Sequence, residues 1–439
     1  MMLRGLLLLA LAAGVSVCDA AGPQAYTNLP TTCDGFPRAA IDMAVGLCAG
    51  LVTAPAQGAF RERLLKTPRM LLQLQDPASW LVTDLGSWTA GRGKVWLLTV
   101  SDRGEVTLKV LAAGLTLPHT VAYGPDGKVY VAEMNRIFRL DPASGTKTTV
   151  VDGLPGNQLH IGRHPLSHFA FDDNGDLLVN VGADTDQCTN AAGAPAGPTC
   201  SEGAGDNARG VIRRYRYLAH GQWQPNSTIV ARGLRNSLVL VRHRSGTWLQ
   251  GENSYDFAPT ADRPYDEINV IRQGAHYGWP YCYDVNQSTP AWAASNAMDC
   301  DSAAHEKPVV LLPPHSAPLG ALYYEGAMFP ALQGKLLMSW HGYRPSGSRI
   351  VAFDVDTKGV PVTHSQARYP EYGNGGEILL KSYRSGPAAE PTILTPGWDL
   401  RVGVRPAGAP VALTVARDGA IWVADDRNAA VLRIAVDRP

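Results

Sequence analysis

Neither sign of charge dominates this 439-residue chain: 39 lysines and arginines are matched by 39 aspartates and glutamates, with no long run of either. A nucleic-acid binder needs a basic footprint, so DNA and RNA are set aside as partners. No Cys-x-x-Cys-His haem attachment and no zinc-ribbon pair of cysteines occurs. The chain therefore carries no built-in haem. The one N-terminal apolar stretch, Gly5 to Val17, is shorter than the roughly 20 residues that span a bilayer. With Arg4 before it and small residues around Ala20 and Ala21 after it, the stretch reads as an export signal over residues 1–20. That reading makes the protein periplasmic or secreted, with no membrane span after signal removal. A membrane anchor and a lipoprotein cut at Cys18 are the alternatives, the second opposed by the bulk of Val17.

Cysteine usage agrees with export. Of seven cysteines, six remain once Cys18 leaves with the signal, and they fall as near neighbours: Cys33 with Cys48, Cys188 with Cys200, Cys282 with Cys300. Three local disulfides in an oxidising compartment is the simplest arrangement.

What the chain has in plenty is punctuation: 45 glycines and 32 prolines, spread throughout, imply many turns between short segments and an all-β fold. Length alone would admit one large domain or two to three ordinary ones. Six stretches share one plan, a strand, a Gly-containing turn and a second strand rich in Val, Leu, Ile and Trp; "HTVAYGPDGKVYVAEMNRIFRLD" and "ALTVARDGAIWVADDRNAAVLRIAVD" are clear copies and "SWLVTDLGSWTAGRGKVWLLTVSD" a weaker one. Six hairpin repeats predict a six-bladed β-propeller over 79–439, with 21–78 as an N-terminal segment pinned by a local disulfide. A two-sheet sandwich with long loops is the alternative. The spacing is uneven, 48 positions from Gly127 to Gly175 but 85 from Gly334 to Gly419, so long insertions separate some blades. Those insertions carry most of the His, Trp, Tyr and Cys, as functional loops do.

Several polar residues stand where hairpin strands begin or end. His164 in "GRHPLSHFAF" precedes a strand and is a candidate general base. Arg235 and Asn236 in "GLRNSLVL" pair a fixed cation with an amide, which suits a carboxylated or quinoid ligand. His315 in "PPHSAPLG" and His341 with Arg344 in "SWHGYRPSG" occupy similar positions. Glu252, Asn253 and Asp256 add oxygens that could hold a hard cation such as calcium, although no EF-hand spacing is present. Radial symmetry would bring these ends together.

Taken in order, "RHPLSHFAFDDNGDLLVNVGADTDQC", "GLRNSL", "DEINVIRQGAHYGWPYC", "HSAPLG", the "HG" at His341 and "VALTVARDGAIWVADD" resemble the sorbosone dehydrogenase branch of the soluble quinoprotein sugar dehydrogenases, from about Ser79 onward. The resemblance implies a six-bladed propeller, pyrroloquinoline quinone (PQQ) with Ca2+ on one face, and sugar oxidation by hydride transfer to the quinone. It makes His164 the general base with Arg235 beside it. Arg235, Asn236, His315, His341, Arg344 and the less well registered Arg405 become cofactor-binding residues, and Ser254 and Tyr255, with Glu252 and Asn253, the metal loop. The chain departs from the family by reading Glu252-Asn253-Ser254 in place of Asp-Asn-Gly, and by His341 where glucose enzymes carry lysine. With no haem, electrons must pass to an external acceptor such as a periplasmic cytochrome. A calcium-dependent lactonase-type propeller and a non-catalytic binding propeller are the rival readings.

Overall fold

The hairpins fold into strands whose middle members are covered on both faces. Leu177–Val181, Leu336–Trp340 and Ile421–Asp425 are buried at every position. Near-continuous apolar runs of this kind belong to strands sandwiched between neighbours, whereas an outermost strand such as Lys147–Val151 exposes most of its residues. The computed structural model describes the chain from Asn28 to Arg438 apart from 54–63, 157–158, 160–163, 257–262, 296, 343, 345, 373–377, 385, 397, 399–400, 403–404 and 407. Among the described residues there is no α-helix, only one 3-10 turn at Pro330–Leu332.

Six antiparallel sheets form the blades of a β-propeller, numbered here in chain order by their innermost strands: Pro68–Gln73, Val121–Tyr123, Phe169–Phe171, Ser237–Arg242, Pro318–Tyr323 and Pro410–Val415. Residues from all six surround an axial cavity of about 310 Å3. Blades 1 to 5 have four strands each, while blade 6 has six. Its extra strands come from the N-terminus: Leu47–Leu51 pairs with Ala430–Val436, and Phe36–Ala39 and Asn28–Cys33 lie outside it. The two chain ends are thus hydrogen-bonded into one sheet, which closes the ring.

The expected boundary at Ser79 therefore falls inside blade 1, whose inner strand is Pro68–Gln73. Residues Asn28–Leu51 are also no separate unit, since they extend blade 6. The Cys33–Cys48 disulfide lies within that extension, and Cys188–Cys200 and Cys282–Cys300 staple the insertions of blades 3 and 4.

Packing between blades supplies the core. Leu249, Ile268, Val310 and Leu312 of blade 4 meet Leu336, Met338, Trp340, Val351 and Phe353 of blade 5. Trp80 of blade 1 stacks on Trp422 of blade 6 with ring centroids 4.0 Å apart. Each such side chain contributes about 1.5–3 kcal/mol when fully buried, so the seams hold the blade ends, and the loops on them, in fixed relation.

Candidate active site

A cavity of about 670 Å3 opens at one end of the axis, and its lining comes from five blades: Arg69 of blade 1, His164 before blade 3, Asn236 and Ser254 of blade 4, His315 and His341 of blade 5, Asp426 of blade 6. Close backbone packing sets these positions. Gly182 follows the strand Leu177–Val181, and a Cβ there would meet the carbonyl oxygen of His164 at 2.4 Å, so only glycine lets the two segments touch. His164 Nδ1 donates to the carbonyl of Ala183 at 2.7 Å. That bond leaves Nε2 as the nitrogen able to take up a proton. On the other side, His341 N donates to the carbonyl of Ala317 and Gly342 N to that of Ser316, at 3.0 and 2.9 Å. A Cβ on Gly342 would lie 2.0 Å from the His315 carbonyl, which accounts for the glycine after His341.

Asp266 ties the walls together. Its Oδ1 accepts from Ser254 N, and its Oδ2 accepts from Ser316 Oγ and Ala317 N, at 2.8, 3.1 and 2.7 Å. Burial pushes this carboxyl up, against the opposing pull of His315 and these donors. Asn236 donates its backbone N–H to Glu252 Oε1 at 2.8 Å, leaving its amide at the cavity.

Arg235 differs from expectation. It is only 3% exposed, and each guanidinium nitrogen already has a protein acceptor. Nε and Nη2 reach Asp186 Oδ1 at 2.8 and 2.7 Å, Nη2 also meets Asp256 Oδ2 at 2.8 Å, and Nη1 donates to the carbonyls of Asn253 and Ser254 at 2.9 and 2.5 Å. The fork expected to reach a ligand is instead spread over the loop that shapes the cavity floor.

The residues expected to hold calcium separate. Asn253 and Ser254 line the cavity, but their carbonyls accept from Arg235. Glu252 turns into blade 4, accepting from Ser237 Oγ at 3.0 Å and Gln250 Nε2 at 2.7 Å, and burial raises it to about 7. Tyr255 is buried and donates its hydroxyl to the Cys282 carbonyl at 2.9 Å. Among the described residues no group of three or more His, Cys, Asp and Glu side chains is arranged to hold a metal ion. Arg344 lines the cavity at its exposed rim, and the side chain of Arg405 lies outside the described residues, as does the export signal.

The aromatic knot Gly278–Cys282 stands behind the site. Trp279 Nε1 donates to the Asp186 carbonyl at 2.9 Å, Trp292 Nε1 to that of Gln187 at 2.8 Å, and Cys200 N to the Tyr281 hydroxyl Oη at 2.9 Å. The rings thus lock the two disulfide-stapled insertions together and hold Asp186 against Arg235.

A model of the glucose/sorbosone dehydrogenase family matches residues 139–366, just over half of the chain. The chain belongs to that family. It is 26% identical over 386 residues, 73% of its length, to a pyrroloquinoline quinone-dependent pyranose dehydrogenase of Coprinopsis cinerea, of which it covers 46%. It is also 32% identical over 139 residues to an uncharacterized protein of Borreliella burgdorferi, covering 35% of it. The chain thus spans less than half the length of these curated relatives. Among solved structures, the holo PQQ domain of the Coprinopsis cinerea pyranose dehydrogenase superposes with a TM-score of 0.63 at 20% identity, over 92% of this chain and 100% of that one. The PQQ-bound aldose sugar dehydrogenase of Streptomyces coelicolor gives 0.52 at 16%, over 90% and 100%. At these identities the likeness is one of fold.

The sequence alone did not single out Arg69, Trp88, Asp186, Asp266 or Asp426. Four of these line the cavity, and Asp186 clamps Arg235. The two aspartates ending "WVADD", Asp425 and Asp426, carried a usable signal as a pair, standing where other blades place site residues.

Proposed function

We propose that the protein is a PQQ-dependent sugar dehydrogenase. The observation that carries the reading is the convergence of His164, Asn236, His315, His341 and Arg344, from four separate stretches of chain, on one cavity at the propeller axis. Its volume of about 670 Å3 falls within the range of small-molecule sites. The donor set, one amide and several cationic or imidazole groups around an open centre, fits a planar ligand bearing several carboxylates.

When bound, the quinone supplies the two-electron acceptor that side chains cannot provide. The remaining work falls to the protein. His164, held by the Ala183 carbonyl, takes the proton of the sugar hydroxyl at Nε2. Asn236, His315, His341 and Arg344 hold and orient the anionic ligand, while Arg235 rigidifies the Asn253–Asp256 loop through the bonds described above. Calcium at the Ser254 carbonyl does not fit this arrangement, because the Arg235 guanidinium donating to that oxygen would place a second cation against it, and no step is assigned to a metal. Electrons then pass to a separate acceptor, a periplasmic cytochrome or a small redox molecule, which accords with the export signal read in residues 1–20 and with the absence of a haem motif.

The test is reconstitution of the full chain with PQQ, with and without calcium, followed by dye reduction with a panel of aldoses. Quinone-dependent dye reduction supports the reading. Saturating PQQ with no turnover of any aldose or related aldehyde contradicts it.

A further inference from the structure

One carboxylate at the cavity wall holds two basic side chains from different blades. Asp426 directly follows the blade 6 strand Ile421–Asp425. Its Oδ1 lies 2.8 Å from His341 Nε2, carried by blade 5, and its Oδ2 lies 2.5 Å from Arg69 Nη1, carried by blade 1. All three side chains line the cavity. Burial alone would push the Asp426 carboxyl up, but His341 and Arg69 outweigh it and hold the group below the usual carboxylate range. Asp426 therefore keeps its negative charge beside the imidazole.

Arg69 cannot turn away from this carboxylate, because it is fixed from behind. Its Nη2 donates to His119 Nε2 at 3.4 Å. A guanidinium only donates, so His119 carries its proton on Nδ1, which faces Thr120 Oγ1 at 3.3 Å. The Thr120 hydroxyl in turn lies 3.1 Å from His168 Nδ1. Burial lowers both imidazoles, His168 to about 4, so this chain through the axis is uncharged below Arg69. Among the described residues, the cation meeting Asp426 from that side is Arg69, which cannot lose its proton.

We propose that Asp426 is the positioning residue for His341, its carboxylate, held on the other side by Arg69, orienting the ring at the cavity wall. The titratable groups that share the cavity lining with His341, besides Arg69 and Asp426, are His164, Arg235, Asp256, Asp266, His315 and Arg344. The two partners act on His341 in opposite senses: removing the negative charge at 426 disfavours the imidazolium, and removing the positive charge at 69 favours it.

The experiment is an NMR titration of the imidazole nitrogens in the full-length, quinone-free chain, with the His341 signals assigned by their loss in His341→Gln. Asp426→Asn lowers the His341 midpoint by about one unit, a tenfold change in its protonation equilibrium. Arg69→Gln raises it, and Asp426→Glu restores most of the native value. Because no cofactor is present, this readout does not depend on the quinone reading. In the reconstituted enzyme, Asp426→Asn lowers kcat by about 10- to 100-fold with little change in KM for sugar, the scale of a mispositioned polar group. An unmoved His341 midpoint in Asp426→Asn overturns the proposal and leaves Asp426 a structural ion-pair partner. If that variant does not fold, Arg69→Gln decides, and a midpoint that fails to rise overturns the proposal equally.

Discussion

Two cavities of similar size lie among the described residues, and they differ in how their charged side chains are held. The larger, about 790 Å3, lies between blades 1 and 2 and is lined by Leu74, Asp76, Tyr123, Lys128, Arg139 and Asp141 among others. Its charged groups serve their own turns: Asp76 accepts from Ser79 Oγ at 2.6 Å, and Asp141 accepts from Ser144 Oγ at 2.6 Å. The cavity of about 670 Å3 at the end of the axis is lined by groups whose partners come from other blades: Asp426 with Arg69 and His341, and Asp266 of blade 4 with the 316–317 segment leading into blade 5. Volume does not mark the site. Ion pairing of buried side chains across blades, which costs desolvation and ordering and contributes little that apolar packing could not, does mark it.

The largest effect that would break this contrast is at His164. His164→Ala should leave quinone binding nearly intact and lower turnover by roughly 100- to 10,000-fold, checked by steady-state kinetics against a spectral binding titration. Next comes the buried guanidinium. Arg235→Ala strands Asp186 and the Asn253 and Ser254 carbonyls, and stability should drop by about 3 kcal/mol in a denaturant titration, the scale for removing one partner of a buried ion pair.

A pH series sharpens the same point. Burial raises Glu252 to about 7 and Asp284 to about 7, above their ordinary carboxylate values. Stability from these groups is full below the unfolded carboxylate range near pH 4 to 4.5 and is lost as pH rises through about 7. The melting temperature should fall between pH 5 and pH 8 on that account, and Glu252→Gln should flatten the slope. The smallest effect belongs to the edge cavity: Lys128→Ala should change turnover by less than about twofold, as a surface substitution away from the site does.

Much of the architecture was legible because the hairpin repeat and its turn glycines are local signals. Cysteine spacing foretold all three disulfides for the same reason. His164, Asn236, His315, His341 and Arg344 could be singled out because polar residues at the ends of otherwise apolar strands stand out. Arg69 could not, since "PRMLLQ" pairs with the next strand through Asp76-Pro77 rather than an Asp-Gly turn, so blade 1 seemed to start later. Nor does sequence distinguish Asp425 from Asp426: the first accepts from Ala409, Arg427 and Asn428 backbone N–H groups and builds a turn, and the second faces the cavity. The saturation of Arg235 was equally hidden, because Asp186 and Asp256 lie far from it in sequence and are brought there by the insertions that the aromatic knot ties together.

The most direct test of the central claim, that side chains from separate blades meet around one quinone, is an absorbance titration of PQQ into the full chain and into single alanine variants at Asn236, His341, Arg344 and Lys128. The account predicts saturable binding to the native protein, weakened at least about tenfold by each of the first three changes, on the scale of one lost charge-assisted hydrogen bond, and unchanged by the fourth. Binding that none of the three weakens, or that Lys128→Ala weakens most, would contradict it.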